Sequence, residues 1–212
     1  MDHLTKEQIQ SRVRLEGKLP SLLGVFDLYV KGLGGNFEVS IALGNNTSID
    51  LSDRTVQTIN EIASLTEDHY KHIQRLMFDD AMRFKEDSAW GDSTPPPKPA
   101  PTNWLRRLFA SPSQFRFVEL ALDDPRHPLF GINTPEDIHA RIKWEGFYVD
   151  DDQETAERIA FLTCYPAWEQ EHGREIAIRN GVPVGISEIQ LNPYYYVEGE
   201  SSPTLEPQSE SI

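Results

Sequence analysis

The stretch from Phe161 to Ser187, FLTCYPAWEQEHGREIAIRNGVPVGIS, constrains the fold of this chain more than any other. Phe161–Tyr165, Glu175–Arg179 and Val182–Ile186 are short runs rich in β-branched, aromatic and aliphatic residues, the composition of strands. Asn180-Gly181 separates the last two by two residues. That pair marks a tight hairpin, because both turn positions need positive φ. Pro166 to Gly173 makes a compact turn around Trp168, and Gly173 can take a positive φ that other residues resist. The segment reads as a meander of three antiparallel strands. Pro183 has no N–H to give a neighbour, so the last strand is expected at an edge or carrying a bulge.

Upstream, Ile142–Val149 and Arg158–Tyr165 are expected to pair across an acidic turn, Asp150-Asp151-Asp152 with Glu154 and Glu157. Its oxygens lack the loop glycine and the terminal glutamate of an EF-hand, so a plain hairpin loop is the favoured reading. Thr134-Pro135-Glu136-Asp137 opens a turn or two of helix, with Thr134 as cap. Phe115–Leu122 alternates like a strand. Trp104–Phe109 is a short amphipathic element bearing Arg106 and Arg107.

The first half has its own pattern. Residues 1–20 form a polar lead-in, with Glu7, Ile9 and Val13 on a short helix that Gly17 and Pro20 would end. Leu22–Val30 and Phe37–Leu43 read as antiparallel strands around Gly32, Gly34 and Gly35. Those glycines are not a phosphate loop, since no Lys-Ser/Thr follows and the next element is a strand. Ser52 caps a helix carrying Val56, Ile59, Ile62 and Ala63 on one face. Thr66 caps a longer one through Tyr70, Ile73, Met77, Ala81 and Phe84 to about Glu86. His69 and His72, three apart on that helix, read as solvated surface. A proline-rich insert at 91–103 then interrupts the chain. It reads as a spacer, with an adaptor role as ligand of an aromatic groove the other possibility.

The 212 residues suit one domain with tails. Net charge is −14, from 34 acidic and 20 basic residues. Phosphate backbones and anionic bilayers repel such a surface, so neither nucleic acid nor membrane is expected as a partner. A basic protein is favoured. The interval 145–171 concentrates the acidity, with eight acidic residues against Arg158 alone. The single cysteine, Cys164, excludes an intramolecular disulfide and a Cys-rich zinc site. No apolar run reaches the roughly 18 residues of a membrane span. The N-terminus has no signal-peptide pattern, so a cytoplasmic location is expected.

Trp168, Glu169, Glu171 and His172 form the densest cluster of chemical types. Glu171 and His172 could act as acid and base, or Glu169, Glu171 and His172 could hold a metal in a hydrolase. The structural reading, favoured here, has Trp168 plugging the end of the sheet and His172 bonded to the turn backbone. No nucleophile stands out: Ser187 is in no Gly-x-Ser-x-Gly elbow, and Cys164 lies in a strand.

Trp168-Glu169-x-Glu171-His172-Gly173, followed by a strand and an Asn-Gly turn, resembles the Trp-Asp-x-Glu-His-Gly signature of a family of uncharacterised bacterial domains. That family has an N-terminal strand, two helices and a C-terminal sheet in this order, which here would run from about Val25 to Ile186. Glu169 stands where the family has Asp, and the proline run is an insertion. Members resemble the small acidic immunity proteins that accompany secreted bacterial toxins, which implies a function by analogy.

The expected fold is α+β, a mainly antiparallel β-sheet with two helices packed on one face, over residues 21–198. Residues 199–212 are expected to be a disordered tail, with Tyr194-Tyr195-Tyr196 docking before it. The expected function is a non-enzymatic binding protein, most plausibly an immunity protein that covers a toxin's basic active site. No cofactor is expected, and the sequence does not set the oligomeric state. Its partner-binding residues would be Asp150, Asp151, Asp152, Glu154, Glu157 and Trp168.

Overall fold

A computed structural model describes residues 3–18, 21–44, 49–91, 124–152 and 155–196, the side chains of 18, 21 and 87–91 apart. The proline-rich insert beyond Gly91, the Trp104–Phe109 element, the Phe115–Leu122 strand, Glu154 and the 199–212 tail lie outside the described residues.

The chain folds as α+β around a seven-stranded, mostly antiparallel sheet whose spatial order follows the sequence. Its strands are β1 (Arg14–Lys18), β2 (Ser21–Val30), β3 (Gly35–Ala42), β4 (Ile142–Asp150), β5 (Ile159–Pro166), β6 (Arg174–Arg179) and β7 (Val182–Ser187). Among the described residues three α-helices accompany them: α1 (Lys6–Gln10), α2 (Asp53–Ala63) and α3 (Glu67–Gly91). The polar lead-in holds the short helix expected around Glu7 and Ile9, as α1, and adds a strand that was not expected, β1. Thr5 Oγ1 accepts from the Gln8 N–H and Gln8 Oε1 accepts from the Thr5 N–H, a capping box that starts α1. Ile9 is fully buried, so one apolar residue anchors an otherwise polar helix.

Every neighbouring pair is antiparallel except β3 and β4, which run parallel with Val39 opposite Phe147 and Ile41 opposite Val149. A parallel pair cannot be joined by a hairpin. The chain must return along the sheet between them, and α2 and α3 lie on that return. Ser52 caps α2 as its sequence implies, accepting from the Thr55 N–H. Thr66 and His69 exchange backbone-to-side-chain bonds at the start of α3. Before β4, the turn of 3-10 helix at Pro135–Arg141 is closed by Asp137, which accepts from the Thr134 N–H at 2.8 Å and its hydroxyl at 3.2 Å.

Alternation along the strands sorts the side chains into two sets. One continuous core joins Phe26, Leu28, Val39, Ile41, Phe147, Leu162, Cys164 and Ile176 of the sheet to Ile59 and Ile62 of α2 and to Ile73 and Met77 of α3. The opposite parity supplies a smaller cluster, Ile159, Phe161 and Ala177, covered by Leu191 and Tyr196. Tyr196 therefore docks on the sheet, its ring 5.9 Å from that of Phe161, whereas Tyr194 and Tyr195 are exposed. Asn180 and Gly181 have φ of 49° and 81°, the two left-handed residues of the expected hairpin turn. β7 is an edge strand, and its register slips so that Ala177 faces Gly185 while Ile178 faces Pro183. Among the described residues no helix is long and apolar enough to cross a membrane.

Gly32 ties the β2–β3 turn to the link between α2 and α3, its N–H donating to the Leu65 carbonyl at 3.1 Å. A Cβ there would stand 2.5 Å from Thr66 backbone atoms. Gly32→Ala is expected to cost about 2 kcal/mol, typical of overpacking against atoms that cannot yield, read as a lower urea midpoint at unchanged m-value.

Candidate functional site

The Trp168 turn is a structural anchor. Trp168 is 4% exposed. Its indole N–H donates to Asp80 Oδ2 on α3 at 2.9 Å, and Arg174 Nε donates to the same oxygen at 3.0 Å. Arg174 and Asp80 are 12% and 15% exposed, so this ion pair is shielded from solvent. Arg174 also donates to the Gly173 carbonyl at 3.1 Å. Gly173 has φ of 69°, and a Cβ on it would stand 2.7 Å from Ile189. Trp168, expected both as a plug of the sheet end and as a partner contact, lies in the core with little of its surface exposed.

The neighbouring acid and base groups hold the turn. Glu169 Oε1 accepts from the His172 N–H at 3.2 Å and lies 3.4 Å from its Nδ1. Glu171 is exposed and joins neither. No three His, Cys, Asp or Glu side chains among the described residues are placed to hold a metal ion. Cys164 is fully buried in β5, and burial raises its thiol far above the ordinary range, which suppresses the thiolate a nucleophile needs.

Sequence reasoning did not single out Asp80. Its signal was present, an acid three residues after Met77 and four before Phe84, on the apolar stripe of α3. Asp80→Ala would leave the Arg174 charge shielded and poorly paired. A loss of about 3 kcal/mol is expected, against about 1 kcal/mol for Trp168→Phe, which removes one hydrogen bond. Denaturant unfolding of both variants checks the order.

Glu175 on β6 was also missed, since its place in an alternating strand reads as an outward polar position. It is fully buried. One carboxylate oxygen accepts from the Gln190 and Leu191 N–H groups at 2.9 and 2.7 Å, and the other from the Ser187 hydroxyl at 3.1 Å. Tyr196 in turn donates to Ser187 at 2.8 Å. Glu175 thereby fastens residues 187–196 across the sheet. Burial raises its carboxyl above the ordinary 4.5, opposed by the hydrogen bonds from Leu191, Gln190 and Ser187. The folded state therefore holds this proton more tightly than the unfolded state. The resulting stabilisation is complete below 4.5 and is lost as pH rises through the raised value. Relative to Glu175→Gln, the native chain should gain melting temperature on acidification through that window. Glu175→Leu should cost about 3 kcal/mol by orphaning two backbone donors. Thermal melts across the window check both.

The acidic β4–β5 hairpin is pinned to α2. Asp151 Oδ1 accepts from the Ser52 N–H at 2.9 Å and its hydroxyl at 2.8 Å. Arg54 donates to the Glu157 carbonyl and, at 3.2 Å, to Thr155 Oγ1. Glu157 Oε2 pairs with Arg179 at 3.5 Å. Asp151 and Glu157 therefore serve the fold. Asp150 is half-buried, and burial followed by repulsion from Asp152 and Asp151 raises its carboxyl, although a bond from the Asp152 N–H partly offsets this. Asp152 is exposed.

No curated protein and no solved structure matches the chain. Residues 110–192, which take in β4 to β7 with the acidic hairpin, the Trp168 turn and Glu175, match the model of a domain of unknown function, DUF6985.

Proposed function

We propose that this chain is a non-enzymatic binding protein, and specifically an immunity protein that neutralises a bacterial toxin effector in the cytoplasm by laying an acidic surface over a basic active-site cleft. The observation that carries this reading is the preorganised acidic hairpin. Ser52, Arg54 and Arg179 hold its backbone and two of its carboxylates, while Asp152 faces solvent. A loop held in place before binding loses little conformational entropy on contact, so its charge is spent on the partner. The overall charge of −14 supports attraction to a cationic protein over phosphate-bearing partners. In this reading α2 and α3 together pack on one face of the sheet and brace the hairpin from behind. Glu169 and His172 serve the turn and Trp168 the core, which favours binding over catalysis for the cluster.

The test is the toxin-domain product of an adjoining reading frame, titrated by calorimetry against the native chain and Asp152→Lys. Asp151 and Glu157 are left intact because both hold the fold. Asp152→Lys should weaken binding at least tenfold, about 1.4 kcal/mol, and flatten its salt dependence. Unchanged affinity would exclude the hairpin as the contact.

A further inference from the structure

We infer that the sheet carries a second docking surface, a groove of about 520 Å³ across β3, β4 and β5 that takes an arginine-bearing segment of a protein partner. The inference rests on the binding-protein reading for the class of partner, but names a different surface from the acidic hairpin.

The groove exists because small residues meet on neighbouring strands. Gly146 lies between Glu38 of β3 and Thr163 of β5 in the sheet register, and Ser40 is two residues further along β3. Gly146 cannot be replaced by a larger residue, since a Cβ there would overlap the Glu38 carbonyl. The register shifts between Trp144 and Gly146, leaving Glu145 as the extra residue of a bulge. The floor is therefore low where three strands adjoin, and the break in register places Glu145 on the groove's lining.

The walls are of two kinds. Tyr148 and Tyr165 offer aromatic surface, and Ile189 and Leu191 close the side toward the C-terminal segment. That side is fixed, because buried Glu175 accepts from the Gln190 and Leu191 N–H groups. Glu38, Glu145 and Lys143 supply the charge, and all three are exposed. Neither carboxylate has an ion-pair or hydrogen-bond partner among the described residues, nor does Lys143. Two carboxylates against one ammonium leave the groove net negative. A guanidinium meets both needs, pairing in a planar fork with a carboxylate while its face lies on a tyrosine ring. Its aliphatic stem would cover the apolar wall.

The probe is a capped Arg-Leu-Arg-Leu-Arg peptide titrated into the ¹⁵N-labelled full chain at physiological salt. Shift perturbations centred on Ser40, Gly146, Tyr148 and Thr163 are expected. Glu38→Gln with Glu145→Gln should weaken peptide binding at least fivefold. Glu67→Gln with Asp68→Asn, the same charge change on an exposed helix start, should leave it unchanged. All four positions are exposed, and an unaltered melting temperature confirms that each variant is folded. Perturbations confined to residues 150–152, no perturbation at all, or equal losses in the two double variants would overturn the groove. If Asp152→Lys abolishes peptide binding while the Glu38/Glu145 variant does not, the groove fails and the hairpin reading stands.

Discussion

The parallel pairing of β3 with β4 is the constraint from which the architecture follows. It fuses two antiparallel units, β1–β3 and β4–β7, into one sheet. The units have three and four strands, and sheets that small depend on a covered hydrophobic face for stability. Joined, they present Phe26, Val39, Ile41, Phe147 and Leu162 to one continuous core shared with α2 and α3. The parallel step also obliges the chain to leave the sheet between them, which is why α2 and α3 fall in the middle of the sequence.

Charge is used differently at three places in this acidic chain. Asp80 gathers the Trp168 indole and the Arg174 guanidinium on one oxygen, and so ties the β5–β6 turn to α3 across a long sequence separation. Glu175 holds the C-terminal segment by accepting backbone N–H groups that would otherwise be buried without partners. Asp151 caps α2 from a distant hairpin. In each case a carboxylate closes a gap that apolar packing leaves open. Asp152 on the hairpin and Glu38 and Glu145 beside the groove are instead exposed to solvent.

Much of the sheet was legible because its signals are local. The Asn180-Gly181 turn, the Ser52 and Thr134 caps, the alternation of β3 and the pairing of β4 with β5 each depend on residues close in sequence. β1 was not legible: Arg-Leu-Glu-Gly-Lys has one apolar residue, and only its pairing with β2 makes it a strand. The site was less legible than the fold. Trp168 was expected both as a plug of the sheet and as a contact for a partner, and its burial against α3 was not readable from the sequence. The acidic hairpin was expected to offer all its carboxylates, yet Asp151 and Glu157 are engaged by Ser52 and Arg179.

By itself the sequence determined the turns, the caps, the strand alternation and the sign of the surface, since each is a property of neighbouring residues or of simple composition. Tertiary structure decided which acids are buried and which are free. Asp80, Asp151 and Glu175 meet their donors only after distant segments are packed together, and solvent access to a carboxylate is set by that packing. The meander from Phe161 to Ser187 was readable as three strands. That Trp168 and Glu175 are buried followed only from what α3 and the C-terminal segment place against them.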